Sequence, residues 1–430
     1  MKRSSLLFLQ FSWIAPNLVH SFLSPPLCSI KTTTNIFASS LDNDNQGGIS
    51  RRQVGELSIA ALGLGTTYFG TRETDPTDYG LWGILPVGTY KQKKTIMETI
   101  VDDQLWTMEQ KFGILDVQVP LRMTVIRLSA EAGGGLWIYN PIAATPEVVQ
   151  MLQSLVDQYG PIRYMVLGSV ALEHKVYAGV MAQKFPTAQI YIQSGQYSFP
   201  TNLPTTFLGF PPGRTFDMPL SAETAPNDWN VDFDFATLGP IISRDGAFGE
   251  TVFFHRPTKT LLVTDTVVEV SEDIPPIYDT DPTPLLYHAR NKVTDRLPDT
   301  LEVRKVGWRR VQLFGLFFMP SAIVIDDIQT ALANRRPDIN SDFAGIYPWT
   351  WIEDGDIRSF KAISGGLLVA PILQTLILNR NPIEVLDFAD RVAQWPIERI
   401  IPAHLKNNLL GYTGSDYRKA FSFLEASGVP

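Results

Sequence analysis

Cysteine is almost missing: the one thiol among 430 residues is Cys28, in an N-terminal stretch read below as a targeting segment. The remainder therefore has no disulfide framework, no thiolate metal site and no cysteine nucleophile. Histidine is scarce too. Only His20, His174, His255, His288 and His404 are present. The last four fall in the folded part, so any imidazole chemistry must draw on them. No dense Lys/Arg stripe is found and the net charge is −8, which argues against a nucleic-acid partner, since such binders need a basic face to displace counterions. No internal repeat is visible. What the chain does have is 44% hydrophobic residues, enough for a sizeable core, and a length suited to one large or two medium domains.

The first 75 residues read as an address. Lys2 and Arg3 precede an apolar run from Leu6 to Val19, the charged-then-apolar order of a secretory signal. Val19 and Ser21 are small enough for a cut at Ser21, and Phe22 follows. This looks like the bipartite presequence of algae with complex plastids, and the Ser/Thr-rich stretch Lys31 to Ser40 is like a transit peptide. A second signal, Ser50-Arg51-Arg52-Gln53-Val54 followed by the apolar run Leu57 to Gly65, resembles a twin-arginine export signal. Together they imply a plastid location, with the thylakoid lumen as the destination. The run is short of the ~20 apolar residues of a spanning helix, so a stable membrane span is not expected. A buried first helix is the competing reading. Asp75 to Gly88 is Pro/Gly-rich and reads as linker, which puts a single domain at residues 80–430.

Beyond the linker, Leu115 to Pro120, Arg122 to Leu128 and Leu136 to Tyr139 alternate as strands, with Gly133-Gly134-Gly135 as a turn that lacks a phosphate-loop pattern. Thr145-Pro146-Glu147 is a helix start, and Val148, Met151, Leu152, Leu155 and Val156 share one face of the helix that follows. A strand at Tyr164 to Leu167, a helix at Val176 to Lys184 and a strand at Gln189 to Ile192 complete a β-α-β-α-β order, which implies α/β layering. Strands are expected again at 234–238, 251–254 and 261–264. The C-terminal third reads as mostly helical, with Arg304 to Phe318 and Gly365 to Leu378 apolar enough to pack inside. This order suits two sheets covered by helices on both sides.

Three segments could carry chemistry. An apolar strand, Tyr164 to Leu167, leads into Gly168-Ser169-Val170-Ala171-Leu172-Glu173-His174-Lys175; Thr260 to Asp265 is an apolar strand ending in an aspartate; Ile400-Ile401-Pro402-Ala403-His404 is a short strand ending in a histidine. In order and spacing they resemble the metallo-β-lactamase superfamily, whose motif at the first segment is H-x-H-x-D-H. The resemblance implies a metallo-β-lactamase-like αββα sandwich. Laid onto that motif, Ser169 and Ala171 replace the first two histidines, Glu173 replaces the aspartate, and His174 keeps the last histidine. The stretch Ile241 to Glu250, read as the loop that would bring a third ligand, has no histidine. The private ligands of one metal are thus all gone, while Glu173, His174, Asp265 and His404 stand in the places of the other's. The expectation is one divalent metal, zinc, manganese or iron, on two imidazoles and two carboxylates. His288 is a candidate fifth ligand from the loop after the Asp265 strand, or else an ordinary loop histidine. His255, beside a turn, reads as a surface residue.

A metal with an open position could present hydroxide to an ester, thioester or phosphoester. Asp265 or Glu173 would then be a candidate general base and Lys175 a candidate anion holder. Three readings stay open: a single-metal hydrolase; a non-catalytic protein of the same fold that binds a small molecule or protein partner through a degenerate site, its histidines merely hydrogen-bonded to the carboxylates; and an iron oxygenase, whose fold would not match this strand order. Gln193 to Pro200 reads as a packed turn, with a pocket lining as the alternative. From about Asp103 onward the chain also resembles an uncharacterised family of plastid-bearing organisms, cyanobacteria and other bacteria, a domain of unknown function. The stretches that carry this are Pro120 to Val125, Ala171 to Lys175, Leu262 to Thr266, Ala370 to Leu376 and Ile401 to Leu405.

Overall fold

Alternation along the strands decides the layers. In the computed structural model, which describes residues 93–427 apart from 115–116, 197–203, 244–245, 318–319 and 336–345, Val117–Arg127 (β3) turns Leu121, Met123 and Val125 to one side and Ile126 to the other. Leu136–Tyr139 (β4) does the same with Leu136 and Ile138 against Trp137 and Tyr139, and Ile162–Leu167 (β5) with Met165 and Leu167 against Tyr164 and Val166. Successive side chains of an extended chain point to opposite faces, so each strand feeds two cores. The segments read above as targeting signals and linker lie outside the described residues.

Seven strands form the first sheet, in the order β1-β2-β3-β4-β5-β6-β7, with Ile96–Val101 as β1, Leu105–Ile114 as β2, Gln189–Ile192 as β6 and Thr215–Asp217 as β7. It is antiparallel through β4 and parallel from β4 to β7. The second sheet holds Phe233–Ser243 (β8), Gly246–His255 (β9), Thr260–Val263 (β10), Arg399–Pro402 (β11) and Leu409–Leu410 (β12), in the order β12-β11-β10-β9-β8. Only its β10–β11 pair is parallel.

On the outer face of the first sheet pack Pro146–Tyr159 (α1) and Leu172–Lys184 (α2). The start of α1 is as expected: the Thr145 side chain accepts from the Val148 amide and Pro146 opens the helix. Between the sheets, Trp137, Tyr139, Trp229, Phe233, Phe253, Leu262 and Ile401 form a shared core. On the outer face of the second sheet, Val252, Phe254, Leu261, Val263 and Ile400 meet Val385, Phe388 and Val392 of Pro382–Ala393 (α5). The layer order is helix, sheet, sheet, helix: the expected αββα sandwich. A further core joins Thr283–Ala289 (α3), Leu301–Phe317 (α4) and the ribbon Ile323–Ile325 with Trp349–Trp351.

Three expectations need correction. Strands β1 and β2 were not foreseen. The run Glu109-Gln110-Lys111 in β2 is polar, yet all three are buried because each finds a partner: Arg122, Thr95 and Asp281 respectively. The stretch Ile241 to Glu250, read as a loop, is largely strand: residues 241–243 of β8 pair with residues 246–248 of β9, and residues 244–245 lie outside the described residues. Gly365 to Leu378 is broken into Leu367–Leu368, a strand, and the short helix Pro371–Leu376, and that helix buries no residue fully. Pro371 can only begin a helix, which stops the apolar run from forming one long buried element.

Candidate metal centre

The three chemistry-bearing segments meet at one rim, where β5, β10 and β11 end. Leaving β5, the chain passes Gly168, where a Cβ would lie 2.3 Å from the Tyr139 hydroxyl, so only glycine fits. Ser169 then pairs across to Glu250 as an isolated bridge, and the Val170 amide donates to the Gly249 carbonyl. This stitches the end of the first sheet to β9 of the second. Helix α2 starts at once, so Glu173 and His174 stand in its first turn. Asp265 follows β10 by two residues and His404 follows β11 by two.

One ligand atom from each of Glu173, His174, Asp265 and His404 lies within 4.8 Å of the others. The imidazole Nε2 atoms of His174 and His404 are 3.1 Å apart. His404 Nε2 is 3.4 Å from an Asp265 oxygen and 4.0 Å from a Glu173 oxygen. Ligand bonds of ~2.0–2.2 Å put ligand atoms on opposite sides of an ion no more than ~4.4 Å apart, so the set fits a single ion with shifts of a few tenths of an ångström. The donor chemistry fits as well: two imidazoles and two carboxylates with no thiolate suit zinc, manganese or iron.

The surroundings set the protonation. His404 Nδ1 lies 3.0 Å from the Pro120 carbonyl oxygen. A carbonyl can only accept, so Nδ1 carries a proton, and in the neutral form of the ring the Nε2 lone pair faces the centre. Burial pushes His174 down to about 3, keeping it neutral. Its Nδ1 has no hydrogen-bond partner among the described residues. Burial also opposes the charged form of His404, but the Asp265 and Glu173 carboxylates beside it prevail and hold its pKa above the usual range. Asp265 is held low: burial acts against its charge and His404 outweighs that. Burial and the Asp265 charge raise Glu173.

Sequence reasoning missed the residues underneath. Glu250, fully buried, accepts from the amides of Thr264 (2.7 Å), Asp265 (2.8 Å) and Thr266 (2.9 Å) and from the Thr266 hydroxyl (2.9 Å). It grips the turn that presents Asp265. Burial and the Asp265 charge push it up to about 8, against the pull of these donors. Every one of the four contacts donates to it, so the geometry accommodates the carboxylate form. Ser169 Oγ, in the place of the first superfamily histidine, donates to Asp265 Oδ2 at 3.1 Å. Asn140 and Tyr139 reach Thr264 Oγ1 at 2.9 Å each, and the Gly168 amide donates to Asn140. No motif marks these positions.

The remaining candidates separate. Lys175 is buried on α2 just past His174, and burial pulls its ammonium down to about 8 against the Glu173 charge. His288 is not with the four: it is packed in the further core, 5.8 Å from and nearly parallel to the Trp349 ring and 5.1 Å from Phe314. His255, expected at the surface, is 1% exposed, because the β8–β9–β10 ladder and Phe233 cover it. Gln193 and Gln196 belong to a packed turn, donated to by Thr251 Oγ1 and donating to the Ser169 carbonyl respectively; residues 197–200 lie outside the described residues. A cavity of about 160 Å³ touches none of the four ligand candidates and opens instead beside Arg122, Glu109 and Leu405.

Fold and site together define an αββα protein with a cluster able to hold a metal ion. The sequence profile of one family, "Domain of unknown function (DUF4336)", matches residues 102–423, and the chain belongs to that family. No curated protein matches it. Among solved structures it is similar to the metal-soaked Flv1 flavodiiron core from Synechocystis sp. PCC6803, at 12% identity and a TM-score of 0.39 over 77% of this chain, spanning 61% of that core's length. It is also similar to the DIM-1 metallo-β-lactamase, at 10% identity and a TM-score of 0.38 over 78% of this chain and 99% of the enzyme. A third likeness is to a metallo-β-lactamase from Pontibacter korlensis, at 9% identity and a TM-score of 0.30 over 63% of this chain and 99% of that one. The αββα assignment stands on the layer order and connectivity of this chain rather than on these superpositions.

Proposed function

We propose that the protein is a hydrolase that uses one divalent ion, bound by Glu173, His174, Asp265 and His404, on an ester, thioester or phosphoester. The observation that carries this is the convergence of the four ligand atoms within 4.8 Å from three separate strand ends. Bound there, zinc, manganese or iron would supply Lewis acidity and acidify a water. The chain's own residues supply the rest. Ser169 engages one Asp265 oxygen and leaves the other to the imidazoles. Glu173, its side chain 29% exposed against 16% for Asp265, is the carboxylate assigned to take up and return a proton, through the oxygen that a single ligand bond leaves free. Lys175 is the cation assigned to a substrate anion.

One observation favours a non-catalytic role instead. The cluster already closes on itself, with the Nε2 atoms of His174 and His404 at 3.1 Å and Asp265 accepting from Ser169. Metal analysis of the purified protein beside His174→Ala decides between them. About one equivalent of metal, lost in the variant, is the expected result. No metal in either protein after reloading with zinc, manganese and iron would leave the binding role. With metal present, esters, thioesters and phosphoesters are the substrates to screen. Among the described residues no helix is long and apolar enough to cross a membrane.

A further inference from the structure

The loop that carries His404 does not hold its own shape. Leu405, the next residue, sits at φ 57° and Asn408 at φ 50°, in the left-handed region where a side chain is strained. Such backbone persists only where its surroundings hold it. The hold comes from the other sheet. Arg122 of β3, 1% exposed, donates through its guanidinium to the Pro402 carbonyl and, at 2.8 Å, to the Leu405 carbonyl. Its own amide donates to the Ala403 carbonyl at 2.9 Å. The carbonyls before and after His404 are thus all tied to one residue. Two positions earlier on the same strand, the Pro120 carbonyl accepts from His404 Nδ1. Glu109 of β2, paired with Arg122 across the ladder, accepts from the guanidinium at 2.5 Å and fixes its direction.

We infer that Arg122 is a positioning residue for the metal centre: backed by Glu109, it clamps residues 402–405 so that His404 keeps its Nδ1–H on Pro120 and aims its Nε2 lone pair at Glu173, His174 and Asp265. The inference rests on the single-metal reading for its effect on affinity. The clamp itself does not depend on that reading, because it fixes the ring in the metal-free protein as well. Arg122 makes no hydrogen bond to a ligand side chain and acts through the backbone on either side of His404.

The test compares wild type with Arg122→Met and with the double variant Arg122→Met/Glu109→Gln. The double variant leaves no buried charge unpaired and carries the test if the single variant fails to fold. Two quantities are read: zinc and cobalt affinity by competition with a chelator, and the His404 tautomer in metal-free protein by nitrogen-15 NMR at alkaline pH. Loss of a supporting partner of a metal ligand is expected to weaken metal binding by about 10–100-fold, and the His404 ring should pass from the Nδ1–H form to a mixture. Where wild type binds metal, equal affinity in the folded variant, or an unchanged tautomer, overturns the inference. Where wild type binds no metal, the single-metal reading is the one that fails. The clamp is then judged by the tautomer alone: a fixed Nδ1–H in wild type that becomes mixed in the variant supports it, and the same ring state in both overturns it.

Discussion

Replacing Glu250 by glutamine tests whether a buried carboxylate, rather than a neutral acid, holds the Asp265 turn. The two oxygens of Glu250 divide four donors: Oε1 takes the Thr264 amide and the Thr266 hydroxyl, and Oε2 takes the amides of Asp265 and Thr266. Glutamine keeps one oxygen. If it stands in place of Oε2, two amides stay bonded, the Thr266 hydroxyl can rotate to accept from the new NH2, and the Thr264 N–H is left facing a donor. A buried donor without an acceptor costs about 1–3 kcal/mol. The two surviving bonds also lose their charge assistance, which roughly doubles the strength of such bonds. The expected loss is therefore about 2–4 kcal/mol. It is read from urea unfolding at neutral pH, as a lowered midpoint with an unchanged slope. Glu250→Ala should cost more, since it strands all three amides. A glutamine variant within ~0.5 kcal/mol of wild type, below the cost of one lost buried bond, would show that the acid is already protonated in the fold. The anionic grip would then be wrong, and the upward push of burial and Asp265 to about 8 would govern at neutral pH.

Two further outcomes follow from the packing. His255 is neutral in the fold down to about 3 because burial disfavours its charge, whereas it titrates near 6.5 when unfolded. Between those values the unfolded chain binds the extra proton, so stability is full above about 6.5 and falls as pH drops toward 3, by at most about 4–5 kcal/mol. Urea midpoints for wild type and His255→Gln across this window should show a shallower slope in the variant; identical slopes would refute the assignment. Gly168→Ala places a Cβ 2.3 Å from the Tyr139 hydroxyl, which is itself committed to the Thr251 carbonyl and Thr264. Overpacking at such a point should cost about 1–3 kcal/mol. An alanine variant that melts with wild type would mean that Tyr139 swings aside freely.

Much of the fold was legible in the sequence because its signals are local. Alternation marked β3, short apolar runs marked β4, β5 and β10, and the Thr145-Pro146 start marked α1, since such runs and a helix cap depend on a few neighbouring residues. The order of the three chemistry-bearing segments was enough to name Glu173, His174, Asp265 and His404, whose ligand atoms lie within 4.8 Å of one another. Other features were decided only in three dimensions. Strand β2 was hidden because Glu109, Gln110 and Lys111 are polar in sequence and become core only when Arg122, Thr95 and Asp281 arrive from elsewhere in the chain. His255 looked exposed beside its turn and is buried by a ladder partner. His288 had the right residue type and is enclosed by Trp349 and Phe314 instead. Glu250 and Arg122 carried no motif, because what they recognise is backbone: three amides and the carbonyls around His404. Those groups are the same in every residue, so only the tertiary structure brings the right ones within reach.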